Sequence, residues 1–204
     1  NKGDFCLWKF SKEGEPSWDS EFGKGRPGWH IEDTAITEKE LGKQYDIHGG
    51  AIDLIFPHHE AELAQMESLS KKKPFVKYWV HSGFLNINKE KMAKSSSFIT
   101  LKNALENHNP LAIRYFFISA HYRSPLDFTK ESLNQAESAI KRLQEFYTKA
   151  KNSKKNIDQK IISSTKKKVL NALDDDFNTP KAMGELFSFI REANKLGYGK
   201  NSYN

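Results

Sequence analysis

A single cysteine, Cys6, stands in 204 residues. The chain therefore cannot close an internal disulfide or build a zinc site from several thiolates of its own. Any metal it holds must be carried mainly by histidine, aspartate and glutamate. Long apolar runs are missing too. Nothing approaches the ~20 residues that a membrane-spanning helix needs, and the N-terminal "NKGDFCLWKF" has neither the apolar segment nor the cleavage site of a secretory signal. A cytoplasmic location without membrane contact is the expectation. Glycine and proline are absent from residue 129 to residue 179 and frequent before it.

What is present describes an ordinary folded chain. Hydrophobic residues make up 37%, charged residues 28% and aromatic residues 12%, too apolar for disorder and enough for one sizeable core or two small ones. The net charge of +6 favours an anionic partner. Lysines cluster at Lys71–Lys73 with Lys77, between Lys149 and Lys155, and at Lys166–Lys168. Each cluster taken alone reads most simply as a solvated face.

The texture changes near residue 128. Before it, β-favouring runs such as "DFCLWKF", "YDIHGGAIDLIF" and "YWVHSGFLNIN" alternate with turns. Cys6 in the first run reads as a buried strand residue. After residue 128, Leu133, Ala136, Ile140, Leu143 and Phe146 recur at spacings of three and four, which predicts an amphipathic helix capped by Thr129 with Glu131 in its first turn. A second helix is expected over roughly residues 163–173. A third should start at Pro180 behind a Thr179 cap, with Met183, Leu186, Phe187 and Ile190 on its apolar side. No such stripe can be buried by one helix alone, so the three should pack as a small bundle.

Two polar stretches in the first part need a chemical explanation. In "FPHHEAE", His58 and Glu62 lie one helical turn apart and so share a face, a standard arrangement for two ligands of one ion. His59 and Glu60 should then point to the helix surface, with Pro57 in the first turn. Carboxylates favoured by the helix macrodipole account for Glu60 and Glu62 nearly as well. The other stretch is "NKEKMAKSSS", which follows a run whose alternation (Val80, Ser82, Phe84, Asn86) suggests a strand. Its Lys89, Lys91 and Lys94 bring ammonium groups to a strand edge beside three serines. That equipment suits phosphate binding and the neutralisation of charge on a leaving pyrophosphate; a solvated loop is the plain alternative.

"KMAKS" resembles the Lys-Met-Ser-Lys-Ser loop of class I aminoacyl-tRNA synthetases, with Ala93 in place of the first serine. Together with "GEPSWDSEFGKGRPGWHIE", "YDIHGG", "DLIFPHHEAELAQ", "YWVHSGFL", "RYFFISAHYRSPLDF" and "DDDFNTPKAM", in that order, it is similar to the cysteinyl-tRNA synthetase family over nearly the whole chain. The resemblance implies an α/β fold: the C-terminal part of a Rossmann-type catalytic domain over residues 1–128, then an α-helical tRNA-binding bundle over 129–204. It implies ATP-dependent activation of L-cysteine and transfer to the 3′ end of tRNA(Cys), by a usually monomeric ligase that uses ATP with Mg2+.

Position by position, the resemblance implies that Lys94 and Lys91 are catalytic and that Lys94, Lys91, Met92 and Ser95 bind ATP. It places Trp29 and His48 in the amino-acid pocket and makes His58 and Glu62 ligands of a Zn2+ that reads the substrate thiol. The family uses a cysteine where this chain has Asp33. A carboxylate can bind zinc, but replacing a soft thiolate by a hard oxygen predicts weaker, more exchangeable metal. Thiol recognition would then lean on Trp29 and His48. A His-x-Gly-His signature is absent, which predicts a fragment unable to form the adenylate alone. Two other readings stay open: a metal-dependent hydrolase using Asp33, His58 and Glu62, and a non-catalytic tRNA-binding module.

Overall fold

The computed structural model describes residues 3–87, 90–91, 99–197 and 199–202. They fall into two compact units, Asn1–Ser82 and Gly83–Asn204.

The first unit begins with an antiparallel pair, β1 (Trp8–Phe10) and β2 (Gly25–Pro27). Helix α1 (Trp29–Leu41) follows at once. Gly28 makes that junction possible: its N–H donates to the Leu7 carbonyl at 2.8 Å, and a Cβ there would fall 1.8 Å from the Cys6 carbonyl oxygen. Next come β3 (Tyr45–Ala51), helical turns over residues 52–59, α2 (Glu60–Ser70) and β4 (Val76–Ser82). β3 and β4 run parallel, with His48 opposite Trp79 and Gly50 opposite His81. Parallel strands need a crossover, and α2 supplies it. Its Met66 packs on Phe75 and Val76, with Tyr45, Leu63 and Trp79 against them. These buried side chains fix α2 over the strand pair.

The second unit holds a three-stranded sheet in the order β6 (Glu90–Lys91), β5 (Leu85–Ile87), β7 (Leu126–Asp127). Around it stand α3 (Leu101–Asn107) and α4 (Pro110–Ile118), each capped as its sequence dictates. The Thr100 side chain accepts the Asn103 N–H, and that of Asn109 the Leu111 N–H. Then come α5 (Lys130–Asn152), α6 (Gln159–Asp174) and α7 (Thr179–Leu196). The predicted α5 stripe is real: Leu133 and Ala136 pack on Ala112 and Phe116 of α4, while Phe146 and Ala150 meet Phe189, Ile190 and Ala193 of α7. Thr129 caps α5 in a reciprocal capping box with Ser132. Among the described residues no helix is long and apolar enough to cross a membrane.

Several expectations need correction. Cys6 is exposed and precedes the strand, its thiol donating to the Trp8 carbonyl at 3.0 Å. The run through Val80 and Asn86 is two strands, broken at Gly83 and Phe84. Helix α6 starts at Gln159, four residues early, because the Asp158 side chain accepts the Lys160 N–H. Asn178, not Thr179, caps α7 by accepting the Lys181 N–H. The helix read at "FPHHEAE" is α2, whereas α1, α3 and α4 stand in the part whose texture was read as strands and turns. The α1 segment "WHIEDTAITEKEL" has little apolar periodicity to betray it, and only Thr34 in it is buried.

Candidate metal centre

The site of the first unit is assembled from α1, β3, β4 and the turn into α2. Within that turn Phe56 is extended (φ −137°, ψ 133°) between helical residues. Beyond this kink His58 and Glu62 stand one turn apart, as their spacing predicted, with His58 Nε2 3.3 Å from Glu62 Oε1. Asp33 reaches the same nitrogen from α1, its Oδ2 at 3.2 Å. One donor atom from each of the three lies within 4.8 Å of the others. Glu62 is 2% exposed and His58 8%.

His59 does not point to the helix surface. It is 4% exposed and faces inward, because β3 and β4 offer a polar floor: His59 Nδ1 pairs with His81 Nε2 at 2.8 Å. Its ring fills space left by Gly50, where a Cβ would meet His59 Cε1 at 2.7 Å. Glu60 is exposed, as predicted. His48 Nε2 sits 3.4 Å from Glu62 Oε2, and the Tyr45 hydroxyl holds its other nitrogen, Nδ1. His48, His59 and Glu62 thus form a second group of converging donors. It shares one carboxylate with the first. His30 Nδ1 pairs with His58 Nδ1 at 2.5 Å, and the Trp29 indole stacks on the His58 ring at 4.6 Å between centroids.

The electrostatics follow from crowding these groups away from water. Burial pushes the Glu62 carboxyl up to about 7, aided by the negative charge of Asp33. Burial pushes His59 down to about 4, with His48, His81 and His58 adding to the shift. His48 and His30 are lowered chiefly by the same desolvation, then by His58. Tyr45 rises to about 12, first through burial and then through Glu62. Burial thus favours the neutral forms of Glu62, His59, His48 and His30; neutral imidazole is the form that ligates a metal, and a bound cation would draw Glu62 to its ionised, ligating form.

The residues fit a divalent cation. Glu62 Oε2 is buried and has no hydrogen-bond partner. A carboxylate oxygen in that condition costs free energy unless a cation or donor meets it. Two histidines, His58 and His48, have Nδ1 already engaged and Nε2 aimed at Glu62. Metal-binding imidazoles are commonly oriented in this way.

All five residues expected in the first unit therefore converge: Trp29, Asp33, His48, His58 and Glu62. Lys91 belongs to β6, where its backbone pairs with Asn86; Met92, Lys94 and Ser95 lie outside the described residues. Sequence reasoning missed His59, His81, His30 and Tyr45. A usable signal existed for His81, which is two residues from Trp79 on one strand and so shares its face.

Comparison with known proteins agrees with this architecture. Residues 1–138 match the family described as tRNA synthetases class I (C) catalytic domain, and residues 168–204 match the DALR domain. A cysteine–tRNA ligase of Thermodesulfovibrio yellowstonii is 48% identical over 213 residues, covering 98% of this chain and 44% of the relative. One of Klebsiella pneumoniae (strain 342) is 48% identical over 197 residues, 96% of this chain and 42% of the relative. The chain thus spans about two-fifths of the length of these relatives. In fold alone it is similar to a Mycobacterium tuberculosis methionyl-tRNA synthetase bound by methionyl-adenylate. That likeness has a TM-score of 0.55 at 16% identity and covers 78% of this chain and 35% of the other. With a match across more than half its length, the chain belongs to the class I (C) tRNA synthetases, through their catalytic domain.

Proposed function

We propose that this chain is the amino-acid-reading part of a cysteine–tRNA ligase and that Asp33, His58 and Glu62 hold a Zn2+ there. The observation that carries the reading is the buried Oε2 of Glu62, which accepts no hydrogen bond and has the His48 imidazole 3.4 Å away, amid converging imidazole and carboxylate donors. When bound, zinc supplies a soft Lewis acid that prefers a thiolate to the hydroxyl of serine.

The chain's own residues do the rest by positioning. Trp29, 62% exposed and stacked on His58, forms a wall against which a small side chain can lie. His48, held by Tyr45, brings its Nε2 to 3.4 Å from Glu62 Oε2. In the reaction the cysteine carboxylate attacks the α-phosphorus of ATP and pyrophosphate leaves. The terminal ribose hydroxyl of tRNA(Cys) then attacks the activated carbonyl and AMP leaves. Lys91 and Lys94, with Met92 and Ser95, are assigned to the ATP phosphates, which carry Mg2+. There a lysine stabilises charge as it develops.

The functional division is assigned near residue 128. The helices beyond it form the tRNA-facing part, with exposed Lys166 and Lys167 on α6, beside a Lys168 that pairs with Glu185 at 3.8 Å, offered to phosphates.

Cysteine-dependent ATP–pyrophosphate exchange by the full-length protein carrying this chain tests the reading, with serine giving no exchange. Exchange that ignores cysteine, or equal exchange with serine, would overturn it. A second measurement isolates Asp33. Asp33→Cys restores a thiolate, so zinc binding should tighten roughly tenfold or more against a competing chelator, by the preference of zinc for sulfur. Unchanged affinity would mean that Asp33 is not a ligand.

A further inference from the structure

The geometry points to Asp176 as a positioning residue: from the corner between α6 and α7 it braces the strands that lead into the lysine-bearing segment. Four observations in the second unit support this. The Asp176 carboxylate gathers three side chains of a single turn. Its Oδ2 accepts from Arg123 Nε at 2.6 Å, its Oδ1 accepts from the Tyr122 hydroxyl at 2.7 Å and from Arg123 Nη2 at 3.2 Å, and His121 Nε2 lies 3.8 Å from Oδ2. That turn is sewn to the sheet: Gly83 N–H donates to the Tyr122 carbonyl at 2.8 Å, and Leu126 N–H to the Phe84 carbonyl at 2.9 Å. β7 then runs parallel to β5, and β5 pairs with β6 through Asn86 and Lys91. Finally, Asp176 and Phe177 both hold φ 52°, the left-handed region that non-glycine residues seldom occupy.

Two adjacent residues in that conformation persist only where their surroundings enforce it. Backbone bonds do so here: Phe177 N–H reaches the Leu173 carbonyl and Asn178 N–H the Ala172 carbonyl, both at 3.0 Å. The corner is thus rigid and turned so that Asp176 meets Arg123. The hydrogen bonds from Arg123 and Tyr122 hold the Asp176 carboxyl down at about 2, so the brace stays charged at working pH. An exposed ion pair adds little to stability. Its consequence is register: with the 121–123 turn braced, β7 and β5 are fixed, and so is the backbone of Lys91. The helices assigned to tRNA and the strand assigned to ATP are then mechanically joined through one carboxylate. This inference rests on the proposed ligase reading.

The test compares Asp176→Ala, Arg123→Ala and their double variant in the full-length protein. The melting temperature should stay within about 4 °C, as removal of one exposed pair allows. KM for cysteine should hold, and kcat for ATP–pyrophosphate exchange should fall roughly tenfold, a loss of positioning without loss of amino-acid binding. The double variant should be no worse than either single one, since both remove the same brace. Unchanged kcat, additive losses, or a fall that merely tracks the melting temperature would overturn the inference. Were the unaltered protein to show no cysteine-dependent exchange, the ligase reading would fail instead. Hydrogen exchange then decides the brace alone: faster exchange at the Gly83 and Leu126 amides in Asp176→Ala supports it, and unchanged exchange refutes it.

Discussion

Glu62→Gln should leave the protein folded and strip it of its metal. Glutamine keeps the volume and one carbonyl oxygen but removes the charge that a divalent cation requires. Zinc affinity should fall roughly 100-fold, or about 2.8 kcal/mol at ~1.4 kcal/mol per tenfold change. Metal analysis after dialysis against a mild chelator reads this directly, and undiminished zinc in the variant would remove Glu62 from the ligand set. Cysteine activation should fall with it.

The metal-free protein offers a second readout of the same substitution. The folded state raises the Glu62 carboxyl from 4.5 to about 7, mainly by burial. A group whose folded pKa is raised contributes stability that is fully present below its unfolded value and is lost as pH rises through the folded one. The Glu62 contribution in metal-free wild type should therefore be lost between about pH 4.5 and 7, against the opposite contribution of His59, which is gained as pH rises from about 4 to 6.5, and Glu62→Gln should remove the Glu62 component alone, read as the difference between the two slopes. Urea midpoints across this window measure it. Zinc should cancel the same component in wild type, because a bound cation compensates the carboxylate.

The other large effect is expected at Lys94. If this ammonium meets charge on the departing pyrophosphate, Lys94→Ala should lower kcat for ATP–pyrophosphate exchange by about 10²- to 10³-fold, the range for removal of one preorganised electrostatic donor. KM for cysteine should change little, since the residues proposed to read the amino acid belong to the first unit. Lys91→Ala should cost less if Lys91 only flanks the phosphates. A Lys94→Ala enzyme within twofold of wild type would end the phosphate assignment for the "KMAKS" segment.

How far such residues could be recognised from the chain alone depended on the range of the forces that place them. The α5 stripe and its Thr129 cap were legible because helix periodicity and capping are local. His58 with Glu62 was legible for the same reason: four residues on one helix share a face. Helix α1 was not, since its segment has almost no apolar stripe and owes its place to the Gly28 junction and to packing against α2. Reading His59 as surface failed because helix geometry alone says where a side chain points relative to its neighbours, not what lies opposite. His81 and the missing Cβ of Gly50 lie opposite.

By itself, then, the sequence determined that any metal would depend on imidazole and carboxylate, that three helices follow residue 128, and that "KMAKS" and "FPHHEAE" are the stretches whose chemistry is to be tested. Residue type and short-range spacing suffice for such statements. Only the tertiary structure decided that Asp33, on a different helix, reaches His58, that Glu62 is buried deeply enough to leave Oε2 without a hydrogen bond, and that Asp176 meets the 121–123 turn. Those facts depend on burial and on contacts between residues far apart in the chain, which packing settles and local propensity does not.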